Sequence, residues 1–225
     1  MSSLSQKQWV AENSFAAHLI CGNRLDSLVF EEFVFYPGML FATKNKWWGK
    51  PGRRHASHEG IDLCFFRTKD CGFGRLDDSI RIPMAEDSRI VRIMDDFLGQ
   101  TVVVACEPPD AGGRLFYTLY AHIRPHKGLA EGDRVARGEM FAKIAPVAEK
   151  GPPLLPHLHV SMAWADQLPD CREWQWKLLN QYGSSCFLDP LQWMVLPRQI
   201  LPFSFEMDLF SKFTPCRRLF ATPSH

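Results

Sequence analysis

Four histidines and one aspartate could gather around a metal ion: His58, Asp62, His122, His157 and His159, in a chain of 225 residues with eight histidines in all. His157 and His159 are separated by one residue in Pro156-His157-Leu158-His159-Val160-Ser161-Met162, a stretch that reads as a strand. Strand side chains alternate between faces, so both imidazoles point one way while Leu158, Val160 and Met162 point the other. Two rises separate their Cα atoms by roughly 6.6 Å, close enough for both to reach one ion's neighbourhood. That spacing belongs to a site and not to a core.

The second half of the constellation is His58-Glu59-Gly60-Ile61-Asp62. Fully extended, this segment would hold His58 and Asp62 roughly 13 Å apart, too far for ligands at about 2 Å from one ion. The chain is therefore expected to bend between them, with Gly60 as the residue that permits the bend. Imidazole nitrogen and carboxylate oxygen both suit zinc, and two histidines plus an acid with an open position is a catalytic pattern. A structural zinc site would be closed, usually by cysteines, and none stands nearby at ligand spacing.

On these residues the chain resembles the lysostaphin-type zinc metallopeptidases, endopeptidases of bacterial cell-wall peptides. That family carries His-x-x-x-Asp early in its domain, a histidine in the middle and His-x-His near the end. The likeness extends to Trp48-Gly49, Leu119-Tyr120-Ala121-His122-Ile123, the hairpin from Leu129 to Glu139 and Leu188-Asp189-Pro190-Leu191, over roughly Gly38 to Pro197. The resemblance implies a mainly β fold, an antiparallel sheet forming a groove. It implies zinc ligands at His58, Asp62 and His159, with His122 and His157 as catalytic histidines that do not bind the metal. The activity implied is zinc-dependent hydrolysis of peptide bonds in peptidoglycan cross-links or glycine-rich peptides. A metal-activated water would attack while one imidazole takes its proton and the other steadies the oxyanion or protonates the leaving amine. Two departures bear on the groove: Leu155-Pro156 precedes His157 where the family often has glycine, and Cys64 to Asp78 reads as an insertion.

Two other functions compete. One is a non-catalytic binding or regulatory module of cell-wall hydrolases on the same fold; retention of all five positions favours catalysis. The other reads His58-Glu59-x-x-Asp62 as a variant of the helical His-Glu-x-x-His motif with Glu59 as base. Gly60 inside the motif argues against a helix there, at a cost of about 1 kcal/mol. The turns from Glu131 to Glu139 also resemble biotinyl and lipoyl carrier hairpins, but no lysine stands at the tip.

Composition narrows the partners. A formal net charge of +1 argues against duplex nucleic acid. No apolar run approaches the ~18 residues of a membrane-spanning helix. Met1 to Val10 lacks the basic-then-apolar pattern of a secretory leader, so the sequence as written reads as cytoplasmic unless another route exports it. Seven cysteines with no Cys-x-x-Cys pair read as free thiols. Peptide or peptidoglycan is the expected substrate, and the oligomeric state stays open.

The elements needed to position the site follow from patterning. Residues 1–37 form an N-terminal extension closed by the Pro37-Gly38 turn, 38–197 the metallopeptidase-like domain and 198–225 a C-terminal tail, with short helices in both extensions. Ile90–Met94, Thr101–Ala105 and Leu115–Tyr120 read as strands, rich in β-branched and aromatic residues, with a hairpin turn at Asp110-Ala111-Gly112-Gly113. A short helix is expected within Pro169–Gln181. Lys44 to Arg54 reads as a solvated basic loop, or as a groove lining for an acidic substrate. Trp47, Trp48 and Trp164 are core or groove wall; His18, His55, His126 and His225 are background.

Overall fold

Runs of β-branched and aromatic residues set the architecture, because such side chains pack well on a pleated, half-buried surface. The computed structural model describes residues 14–28, 30–69, 72–147, 154–168, 170, 173–202 and 213–219. Met1–Val10, Cys71, Cys171, His225 and most of the tail beyond Pro202 lie outside the described residues. In chain order the elements are α1 (Phe15–Gly22), β1 (Phe30–Phe35), β2 (Gly60–Leu63), β3 (Phe65–Thr68), β4 (Phe73–Arg75) and β5 (Arg81–Pro83). There follow β6 (Ser88–Asp95), β7 (Gln100–Cys106), β8 (Phe116–Pro125), β9 (Arg134–Val135), β10 (Met140–Ile144) and β11 (Leu158–Trp164). The chain closes with α2 (Trp176–Tyr182), β12 (Arg198–Ile200), β13 (Thr214–Pro215) and α3 (Cys216–Leu219). The fold is mainly β, as the sequence leads one to expect, and among the described residues no helix is long and apolar enough to cross a membrane.

The larger sheet has eight strands, with order β2-β11-β8-β7-β6-β9, while β10 pairs with both β8 and β5. Its ladders are antiparallel. Alternation sends Val102 and Val104 of β7 into the main core and Val103 and Ala105 into a second cluster on the opposite face. All four are fully buried, each valine contributing about 1.5–3 kcal/mol relative to exposure. The second cluster is closed by Trp174, Leu179 and Phe187, so the α2 region covers the face that also carries the site. The helix expected within Pro169–Gln181 occupies only its end, beginning at Trp176.

The smaller sheet, β12-β1-β3-β4-β13, joins segments far apart in sequence. β1 comes from the first 37 residues, β3 and β4 from the segment just after Asp62, and β12 and β13 from residues beyond 197. Phe33, Phe35, Phe65, Phe66 and Phe213 of these segments enter the same core as β7, β8 and β11. Helix α1 begins at Ser14, whose hydroxyl accepts from the Ala17 amide at 3.2 Å, an N-cap. It buries Phe15, Ala16, Leu19 and Ile20 and is tied to β5 by Asn23, which exchanges hydrogen bonds with the Arg81 backbone in both directions.

Strand parity at β11 is as read from the sequence. Leu158, Val160 and Met162 enter the main core, and His159 shares the other face with Ala163. His157 sits just before the strand begins. Antiparallel register places His159 opposite Asp62 of β2, so two candidate ligands meet as cross-strand neighbours.

Candidate metal centre

Gly60 brings β2 against β11, and for a different reason from the one read in sequence. Its backbone is not in the left-handed region. Instead a Cβ there would stand 2.1 Å from the Val160 carbonyl oxygen and 2.7 Å from Ser161 Oγ. Glycine is required because two backbones approach too closely for any side chain, and the approach is what sets Asp62 beside His159. His58 arrives from the loop just before β2, with its amide held by the Thr43 carbonyl and its carbonyl by the Ala42 amide.

Three donor atoms then face one another. His58 Nε2 lies 3.1 Å from His159 Nδ1, His159 Nδ1 is 2.9 Å from Asp62 Oδ1, and His58 Nε2 is 3.3 Å from Asp62 Oδ1. Around zinc with ligands at about 2.0–2.1 Å, the edge of a coordination tetrahedron is about 3.3–3.4 Å. The observed triangle is close to one face of that tetrahedron, slightly contracted. Tautomers agree with it. His58 Nδ1 lies 3.0 Å from the Leu40 carbonyl, which can only accept, so the ring proton belongs on Nδ1 and Nε2 carries a lone pair. His159 Nε2 can donate to Ser161 Oγ at 2.7 Å, which leaves Nδ1 as the bare nitrogen. Two lone pairs and a carboxylate oxygen converging in a buried place want a cation, and these residues could hold one.

The other carboxylate oxygen is fixed from behind. Trp47 Nε1 donates to Asp62 Oδ2 at 2.6 Å, and Arg54 donates to the same oxygen at 3.3 Å while binding the Gly38 and Asn45 carbonyls. Burial alone would raise the Asp62 pKa, but the surrounding imidazoles of His58, His157 and His159 outweigh it and hold the group well below the usual carboxylate range. Arg54 is drawn down by burial, opposed by Asp62 and Glu59. It therefore does not belong to a solvated loop, as the basic run suggested: its side chain is 12% exposed, because a buried carboxylate requires a counter-charge.

His122 and His157 complete the group. Their rings lie 4.9 Å apart, and His122 is 5.8 Å from the His159 ring. His157 Nδ1 donates to the Leu155 carbonyl at 2.8 Å, leaving Nε2 bare. Burial pushes its pKa down to about 4 against the pull of Asp62, so the ring is neutral near pH 7. His122 stands where β8 leaves β11 and joins β10: the ladders pair Ala121 with His159 and Ile123 with Ile144, and His122 with neither. Its φ is 61°. Asp96, in the turn between β6 and β7, accepts from His122 Nδ1 at 3.0 Å and from the His122 amide at 2.9 Å. Burial would raise the Asp96 pKa, yet these bonds hold it far below the usual range.

All five residues picked out in the sequence line one groove of about 540 Å³. Lys46, Trp48, Arg54, Phe97 and Trp176 share it, and so does His55, assigned to background in the sequence. Phe97 is 68% exposed and packs edge-on to His122 at 4.7 Å. Sequence reasoning placed Trp47 and Arg54 at most on the groove wall, without their bonds to Asp62, and gave Asp96 no role. Only Asp96 carried a local signal, as an Asx-turn residue in Asp95-Asp96-Phe97-Leu98-Gly99. His58 and Glu59 precede an extended segment, so no helical His-Glu-x-x-Asp motif exists here.

No protein-family model matches the chain, and no curated protein sequence does. Among solved structures it is similar to lysostaphin in solution, at 15% identity and TM-score 0.41, over 69% of this chain and 53% of that one. It is also similar to CbpA from L. salivarius REN, at 15% identity and TM-score 0.41, over 73% of this chain and 88% of that one. A third is a mutant of the catalytic domain of the prophage-encoded M23 protein EnpA from Enterococcus faecalis, at 17% identity and TM-score 0.34, over 56% and 82% of the two chains. The chain thus spans about half the length of the lysostaphin it matches.

Proposed function

We propose that this chain is a zinc-dependent endopeptidase of the lysostaphin type, hydrolysing peptide bonds in peptidoglycan cross-links or glycine-rich peptides. The observation that carries the reading is the triangle of His58 Nε2, Asp62 Oδ1 and His159 Nδ1, with edges of 2.9–3.3 Å, and the imidazoles of His122 and His157 beside it. Zinc on these three atoms would supply a Lewis acid and bring the pKa of a water towards ~7.

The remaining chemistry falls to the chain's own groups. His122 and His157 each have Nδ1 engaged by a hydrogen-bond acceptor, so each offers Nε2 to the groove. One accepts the proton of the attacking water as its oxygen bonds to the peptide carbon. The same proton is then available to the amine that leaves when the C–N bond breaks, and the second imidazole steadies the oxyanion. Trp47 and Arg54 keep Asp62 ionised and oriented. Trp48, Phe97 and Trp176 provide apolar surface along the groove against which an extended peptide can lie.

The test is digestion of purified sacculi and of oligoglycine peptides by the zinc-loaded protein, with product masses recorded. Release of peptide fragments that stops on chelation and resumes with added zinc is the expected result. Intact substrates in the presence of stoichiometrically bound zinc would refute hydrolysis and favour a binding module.

A further inference from the structure

We propose that Asp96 is the positioning residue for His122, fixing both its tautomer and the backbone turn that aims it into the groove. The inference rests on the endopeptidase reading for its catalytic consequence, though not for its geometry.

The Asp96 side chain is fully buried against His122, where an ionised carboxylate persists only if its lone pairs are satisfied. They are satisfied five times over. Oδ1 accepts from the amides of Leu98 and Gly99 at 2.9 Å each and from His122 Nδ1 at 3.0 Å. Oδ2 accepts from the His122 amide at 2.9 Å and the Thr101 hydroxyl at 2.8 Å. Two of the five donors belong to His122, one from its backbone and one from its ring. A carboxylate is the side chain that can accept all five, since an amide would set its NH2 against a donor at one end.

Each bond has a separate consequence. His122 lies at φ 61° without a ladder partner on either neighbouring strand, so its amide would be an orphan in the sheet. The bond to Oδ2 satisfies that amide and offsets the strain of a left-handed, non-glycine residue. The ring bond commits the proton to Nδ1 and leaves Nε2 bare, and it provides a negative charge behind the ring when Nε2 takes a proton. His157 has only the Leu155 carbonyl in the equivalent place, a dipole and not a charge. The water's proton therefore passes to His122 Nε2, and His157 serves as the second hydrogen-bonding partner. The network also reaches Trp176, another residue of the groove: its Nε1 donates to Thr101 Oγ1 at 2.7 Å, and its ring lies 5.7 Å from that of His159.

Two measurements test this. Long-range proton–nitrogen correlation spectra of the ¹⁵N-histidine-labelled, zinc-loaded protein, at about pH 8 and so above the ordinary histidine range, report the tautomer without any substitution. The expected result is His122 with its proton on Nδ1; a proton on Nε2 overturns the proposal. The second is a double-mutant cycle of Asp96→Asn and His122→Ala, followed by kcat, KM and zinc content. Asp96→Asn should lower kcat by about 10- to 100-fold with KM and zinc unchanged, and should have no further effect in the His122→Ala background. An equal loss in both backgrounds assigns Asp96 to structure alone and overturns the proposal. Should the wild-type protein cleave nothing while the Nδ1 tautomer is found, the endopeptidase reading fails and the positioning of His122 by Asp96 stands.

Discussion

Trp47→Phe isolates one bond behind the candidate metal centre. The indole N–H donates to Asp62 Oδ2 at 2.6 Å, and Trp47 is 2% exposed. Phenylalanine keeps an apolar ring in the same slot, edge-on to Phe65 and His157, and removes the donor. A hydrogen bond to a charged group contributes about 1.5–3 kcal/mol, and the loss of a group that orients a metal ligand lowers metal affinity about 10- to 100-fold. The two scales agree, since that range corresponds to about 1.4–2.7 kcal/mol. Arg54 remains at 3.3 Å from the same oxygen, so Asp62 stays ionised and the effect belongs at the lower end, near tenfold. The assay is competition for zinc against a chromophoric chelator, with circular dichroism to establish that the variant folds. A zinc Kd within twofold of wild type, in a folded variant, would mean that Asp62 is not a ligand or that its orientation does not depend on Trp47.

Four other expectations follow from the same geometry. His159→Ala leaves two donors in place of three, and should lose zinc on dialysis against buffer that wild type withstands, read by metal analysis. His122→Ala should keep its zinc and slow hydrolysis by roughly 10²–10⁴-fold; an unchanged rate would remove His122 from the mechanism. Glu59→Ala should retain activity within about tenfold of wild type, because Glu59 lies outside any helical His-Glu-x-x-His arrangement, and a loss of the size expected for a missing base would revive it. Gly60→Ala would put a Cβ 2.1 Å from the Val160 carbonyl oxygen. Backbone cannot yield as a side chain does, so the melting midpoint should fall by an amount equivalent to at least about 1–3 kcal/mol.

The site was legible in sequence where chemistry and periodicity coincide. His157 and His159, two apart, announce a shared site; β11 carries only His159, and His157, just before the strand, still lines the same groove. The meeting of Asp62 with His159 was not readable, because cross-strand register depends on a close approach at Gly60 that involves residues about a hundred positions away. The same limit hid Asp96. An Asx-turn aspartate gives the same local pattern whether or not a histidine of a neighbouring strand bonds to it, and here the His122 amide and ring both do. Arg54 was obscured by its neighbours: Lys44, Lys46, Lys50 and Arg53 make a basic run, and nothing local marks which cation turns inward. The smaller sheet shows the limit at the level of fold. Phe30–Phe35, Phe65–Thr68 and Arg198–Ile200 are short segments without a clean alternation of apolar and polar residues, and non-local pairing is what joins them as strands.

X-ray absorption at the zinc edge of the purified, zinc-loaded protein tests the central claim most directly. Coordination by His58, Asp62 and His159 predicts one zinc per chain, with two imidazole ligands and low-atomic-number scatterers only, at about 2.0–2.1 Å. A sulfur shell at about 2.3 Å, or zinc retained in full by a protein carrying both His58→Ala and His159→Ala, would contradict it.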